Sequence, residues 1–226
     1  RNSKKAHHTS PRKVKAMLTE LACYNQDSTY NDILKAVFIA AEKNVSSVAI
    51  PSGFMSRVGD FLKDQKFSAA IDFPYGLSGT QVRLHEIMLA IRQGASFIDL
   101  VINNSYIKEE NWRKIREDLK ACLTICKEHN IELRALIEYR LFPLKTVLLM
   151  CDLFNMNGVH HVINSTGFVA DDISDNAITS HQMQEKTGVL VTSCVRAFTA
   201  PQIQTFEDVG IYALRLMSTK IAERLL

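Results

Sequence analysis

No apolar run in this chain is long enough to cross a bilayer. The longest, Val48–Pro51 and Phe97–Ile102, fall far short of a span and carry polar interruptions. The N-terminus has no apolar signal segment either, so the expected location is cytoplasmic. Cysteine is sparse and odd in number: Cys23, Cys122, Cys126, Cys151 and Cys194 sit inside apolar segments, which excludes a disulfide framework and suggests buried thiols in a reducing compartment. Cys122 and Cys126 share a helical face near His129, but a full set of four ligands is missing, so core packing is expected there and no metal site. Acid is absent from residues 1–15, which hold Arg1, Lys4, Lys5, Arg12, Lys13 and Lys15. With six positive charges there and +3 overall, the remaining body sums to −3. Lysine, finally, is missing between Lys145 and Lys186.

What is present fits one sizeable core: 226 residues, 46% hydrophobic and 23% charged. Residues 1–15 read as a basic flexible tail and 16–226 as a single domain. The body alternates strand-like and helix-like segments. Strand candidates are Leu18–Tyr24, Val48–Ile50, Ser68–Asp72, Phe97–Asn103, Leu133–Glu138, the stretch Gly158–Gly167, Val189–Ser193 and Tyr212–Arg215. Helices are expected at Asn31–Glu42, Ser56–Lys63, Ser78–Gln93, Glu110–His129, Leu144–Asn155, around Gln182–Glu185 and from Pro201 onward. Eight strands alternating with helices predict an α/β fold, a TIM (β/α)8 barrel, with a doubly wound open sheet as the alternative. Asp99, Arg134 and Glu138 are charges inside strands that ought to be apolar. In a barrel they line the active-site mouth, or else form pairs satisfied inside the core.

Several linked motifs resemble the class I deoxyribose-phosphate aldolases. Phe73-Pro74-Tyr75-Gly76 is similar to that family's F-P-x-G turn. Glu86 followed by Gly94-Ala95-Ser96-Phe97-Ile98-Asp99-Leu100-Val101-Ile102-Asn103 is similar to its E…G-A-x-E-I-D-x-V-I-N segment, and Ser165-Thr166-Gly167 to the end of its F-I-K-T-S-T-G motif. The resemblance implies a barrel that cleaves 2-deoxyribose 5-phosphate through a lysine Schiff base, with a second lysine and an aspartate assisting. Such chemistry needs a primary amine at the substrate carbonyl.

Laid on this chain, the nucleophile's position falls on Ile163 and the second lysine's on Thr192, leaving Asp99 as the surviving, vestigial member; no catalytic residue is expected. The phosphate cradle departs in the same direction. Val195 and Arg196 stand at its Gly-Gly, Met217 at its later glycine, and Glu20-Leu21-Ala22 at its D-x-T. The implied function is an aldolase-like pseudoenzyme acting by binding a ligand or protein. Asp99, Arg134, Asn164, Ser165, Thr166 and Arg196 are its ligand-pocket candidates, and no cofactor is expected. The competing reading is a lyase or isomerase on another phosphorylated or anionic carbonyl substrate, with Asp99 as base and Arg134 or Arg196 holding the anion. Partner expectations are an acidic protein surface meeting the basic tail, such as an actin filament by analogy alone, a homodimer, no specific nucleic acid and no membrane span.

Overall fold

The computed structural model describes residues 16–59, 65–196 and 199–226. Eight parallel strands form its centre: β1 (Leu18–Ala22), β2 (Ser47–Pro51), β3 (Phe67–Ile71), β4 (Phe97–Val101), β5 (Glu132–Leu136), β6 (His161–Ile163), β7 (Leu190–Val195) and β8 (Ala213–Leu216). Each pairs with its neighbour in sequence, and β8 returns to β1 through Leu18↔Ala213 and Glu20↔Arg215. That last pairing closes the sheet into a single barrel and excludes the open, doubly wound alternative. Around it lie α1 (Tyr30–Glu42), α2 (Thr80–Arg92), α3 (Asn104–Lys108), α4 (Trp112–Glu128), α5 (Leu144–Met156), α6 (Ile173–Thr187), α7 (Ala200–Asp208) and α8 (Thr219–Leu225).

Local chemistry sets these boundaries. Thr29 and Asp32 form a capping box that starts α1, and Pro201 stands in the first turn of α7. The buried face of α4 repeats at helical spacing through Ile115, Leu119, Cys122, Leu123 and Cys126. Gly188, at φ 74°, ends α6 in the left-handed conformation that favours glycine.

Some expected boundaries shift. β1 stops at Ala22, β4 at Val101 and β5 at Leu136, each two residues short of the expected end. Asn103 leaves the strand to cap α3: its Oδ1 accepts from Ser105 N (2.9 Å) and Tyr106 N (3.2 Å), a short helix the sequence did not announce. In place of a helix beginning at Ser56, the chain makes a 3-10 turn over Ser52–Arg57. The rest of that expected helix, residues 60–63, and the basic tail, residues 1–15, lie outside the described residues. α6 is longer than expected, running from Ile173 to Thr187.

Successive strand residues face opposite ways. The outward set, including Leu21, Val48, Ile50, Ile98, Leu100, Ala135, Val162, Val191 and Leu214, packs under the helices as the main core. The inward set fills the barrel and defines the site. Among the described residues no helix is long and apolar enough to cross a membrane.

Candidate functional site

At the C-terminal end of the barrel, where such folds keep their chemistry, every strand but β8 contributes one inward side chain to a single apolar layer. These are Ala22, Ala49, Ala70, Val101, Leu136, Ile163 and Cys194, with Met217 just past the end of β8. Ile163 is fully buried in this layer. Aromatic rings from three loops lie above it: Tyr24 and Phe73 are 4.3 Å apart between centroids, and Phe168 meets Phe73 edge-on at 5.4 Å. On the β7–β8 side Met217 fills the space. Its Sδ lies 3.2 Å from Cys194 Sγ, and a Cβ added to Gly167 would sit 2.8 Å from Met217 Cε.

Two residues further down each strand, the inward positions are polar throughout: Glu20, Ser47, Ser68, Asp99, Arg134, His161, Thr192 and Arg215, all buried. Four of them form an ionic network. Arg134 donates from Nε to Asp99 Oδ1 (2.7 Å) and from Nη1 to Glu20 Oε1 (2.6 Å). Arg215 donates from Nε (2.9 Å) and Nη2 (2.6 Å) to Glu20 Oε2. Arg215 Nη2 also lies 2.9 Å from Asp99 Oδ2, close enough to pair electrostatically but off the line of a hydrogen bond. Arg134 further stacks 4.5 Å over the Phe97 ring.

Burial alone would push both carboxyls up, but the two guanidinium groups outweigh it. Glu20 is held down at about 2 and Asp99 is lowered as well. An acid so held is a poor proton acceptor at neutral pH. Beside the network, the His161 ring bridges Thr192 Oγ1 (2.8 Å) and Glu132 Oε1 (3.1 Å). Its burial lowers its pKa and favours the neutral imidazole.

The ligand-pocket candidates therefore divide. Asp99 and Arg134 come together, but one layer beneath the mouth. Asn164 is fully buried and ties β6 to its surroundings, donating to Asn176 Oδ1 (2.7 Å) and Ser180 Oγ (2.9 Å) while its Oδ1 accepts from Cys194 N (2.9 Å). The Ser165 and Thr166 hydroxyls both donate to Glu138, at 2.8 and 2.6 Å, and burial raises the Glu138 pKa. Arg196 is exposed, donates from Nε to Gly167 O (2.9 Å), and forms the wall between two rim grooves. One groove, of about 870 Å³, runs between the β6–α6 loop and α7. The other, of about 410 Å³, lies beside β1 and α8 and includes Lys220.

Cys122 and Cys126 are buried in the core, and His129 Nδ1 stays 3.0 Å from Ile125 O. Among the described residues no group of three or more His, Cys, Asp or Glu side chains converges as a metal site. Glu20 and Arg215 are the central residues that sequence reasoning did not single out for the site. Their signal was a charge in the middle of a strand, the same signal that marked Asp99 and Arg134.

An eight-stranded parallel barrel with its inward charges gathered under one strand-end mouth is the architecture of TIM-barrel enzymes. The sequence matches the family described as DeoC/LacD family aldolase over residues 10–141, and the chain belongs to that family. Among curated relatives, the deoxyribose-phosphate aldolase of Histophilus somni is 30% identical over 174 residues, covering 75% of this chain and 77% of that one. That of Mycoplasmopsis pulmonis is 32% identical over 149 residues, covering 65% and 67%. Among solved structures, the tetrameric deoxyribose phosphate aldolase of Aeropyrum pernix superposes with a TM-score of 0.82 at 16% identity, covering 91% of this chain and 87% of that one. A putative deoxyribose-phosphate aldolase from Coccidioides immitis gives 0.81 at 20% identity, covering 92% and 83%. At these identities the structures speak for the fold.

Proposed function

We propose that this chain keeps the aldolase barrel without its Schiff-base chemistry and acts by binding. The observation that carries the reading is Ile163. By the sequence resemblance it stands at the position of the family's nucleophilic lysine, and it is buried in an apolar layer under aromatic rings. Isoleucine offers no nitrogen for an imine, and loss of a covalent nucleophile removes orders of magnitude of rate. Thr192, at the second lysine's position, is engaged by His161. Asp99, the remaining member, faces two arginines and has no exposed surface, which also speaks against a lyase or isomerase using it as base. Met217 crowds the place where a phosphate cradle would need bare backbone.

Trapping tests this directly. With 2-deoxyribose 5-phosphate and sodium borohydride, intact mass is expected to stay unchanged at the barrel mouth. A reduced adduct mapped to a lysine there, Lys220 included, overturns the proposal. The same proposal puts the protein in a reducing, cytosolic setting, supported by five cysteines that are all buried and unpaired. It also gives the basic segment 1–15 the task of meeting an acidic protein partner. For that contact, cosedimentation with actin filaments should weaken steeply with salt and vanish on deleting the segment. Equal pelleting of both forms at every salt concentration removes the tail from consideration.

A further inference from the structure

On the β1–β3 side of the mouth the inward apolar layer is built of small side chains, Ala22, Ala49 and Ala70. There a pocket of about 340 Å³ opens between the ends of β1, β2 and β3, at the low end of the roughly 300–1,000 Å³ usual for small-molecule sites. Five of the residues that line it carry aromatic rings: Tyr24, Phe54, Phe73, Tyr75 and Phe168. Of the described residues lining it, Glu86 alone bears a formal charge, and its carboxylate is fixed by Ser52 Oγ (2.6 Å) and the Asp72 amide (2.9 Å). Behind it, Arg83 is paired with two acids, Asp72 and Asp118, while Arg215, which donates from Nη1 to Tyr24 Oη (3.4 Å), is paired with Glu20 and Asp99. Ring faces are negative and edges positive. A wall of rings with one carboxylate and, among the described residues, no lysine or arginine in its lining repels phosphate and attracts a cation whose charge is spread over methyl groups.

We propose that this pocket binds a small methylated ammonium group. The Phe73-Pro74-Tyr75-Gly76 turn supplies two of the rings, and its shape is held by Asp72, which accepts from Ser78 N (2.8 Å), Ser78 Oγ (2.9 Å) and Arg83 Nε (2.8 Å). The turn that carries Phe73 and Tyr75 is therefore fixed before the cation enters, which lowers the ordering cost of binding. Its existence does not depend on the loss of catalysis. An adduct in the borohydride experiment would leave this pocket in place, and failure here would leave the trapping result unchanged.

The test titrates the whole chain with choline and, separately, with 3,3-dimethylbutan-1-ol, the neutral carbon analogue of the same shape. Binding is followed by calorimetry and by the aromatic NMR signals of Phe73, Tyr75 and Phe168. Choline is expected to saturate, and to bind at least about tenfold more tightly than the alcohol. Tyr75→Leu and Phe168→Leu keep apolar bulk and remove a ring, so each should weaken choline by roughly two- to thirty-fold. Both side chains are exposed, at 68% and 39%, so the fold should tolerate the changes, which a thermal melt checks. Equal binding of the alcohol, no saturable shift with choline, or undiminished binding in both variants each overturns the proposal.

Discussion

Glu20→Gln removes one negative charge from a sealed layer in which two carboxylates balance two guanidinium groups. The Glu20 carboxyl is held at about 2 against an ordinary 4.5. At about 1.4 kcal/mol per pH unit, that difference is worth roughly 3 kcal/mol of folding stability at neutral pH. The figure agrees with the roughly 3–5 kcal/mol typical of leaving a buried charge without its partner. For a chain of 226 residues it corresponds to a melting temperature lowered by about 6–12 °C.

Urea unfolding of both proteins across a pH series is the assay. A carboxyl whose pKa is depressed on folding contributes fully above its unfolded value and loses that contribution as pH falls through the folded one. The gap between wild type and variant should therefore be complete above about pH 4.5 and close as pH falls toward 2. Adding Arg215→Met restores charge balance and should recover part of the loss. A gap under about 1 kcal/mol at pH 7, or one that is the same at pH 2, would refute the account of a tightly coupled buried network.

Two further outcomes follow from the mouth. Gly76 has φ +67°, and an added Cβ would meet the Ile102 carbonyl at 2.9 Å and the Val101 carbonyl at 3.0 Å, backbone that cannot give way. Gly76→Ala should cost about 2–3 kcal/mol in urea unfolding. At Gly167, φ +77°, the obstacle is the flexible end of Met217, so Gly167→Ala should cost nearer to about 1 kcal/mol; a reversed order would contradict this packing. Burial pushes the Cys122, Cys126, Cys151 and Cys194 thiols up to about 12 and raises Cys23 as well. A thiol-reactive dye at pH 8 should thus label the native chain slowly, beginning with Cys23 at the groove beside α8, and all five thiols after denaturation. Rapid labelling of two or more native thiols would refute it.

The alternation of strands and helices was legible because each strand buries both faces and each helix one, which leaves distinct periods in the sequence. Helix starts at Thr29 and Pro201 were written locally, in capping chemistry and fixed φ. The α3 helix was not legible, since Asn103 reads as the last residue of a strand until the chain turns and its side chain finds two free amides. The Ser165-Thr166 turn looked like open binding chemistry, yet its hydroxyls are consumed by Glu138, two residues past the end of β5. No local pattern announces such a partner 27 or 28 positions away.

From the residues alone came the absence of an amine at position 163, a methionine at 217 and the alternation that builds a barrel. These depend only on which side chain follows which. That eight polar positions form one layer beneath eight apolar ones was decided by barrel closure. Glu20 meets Arg134 and Arg215 across 114 and 195 residues of chain, and only the register of parallel strands sets such distances.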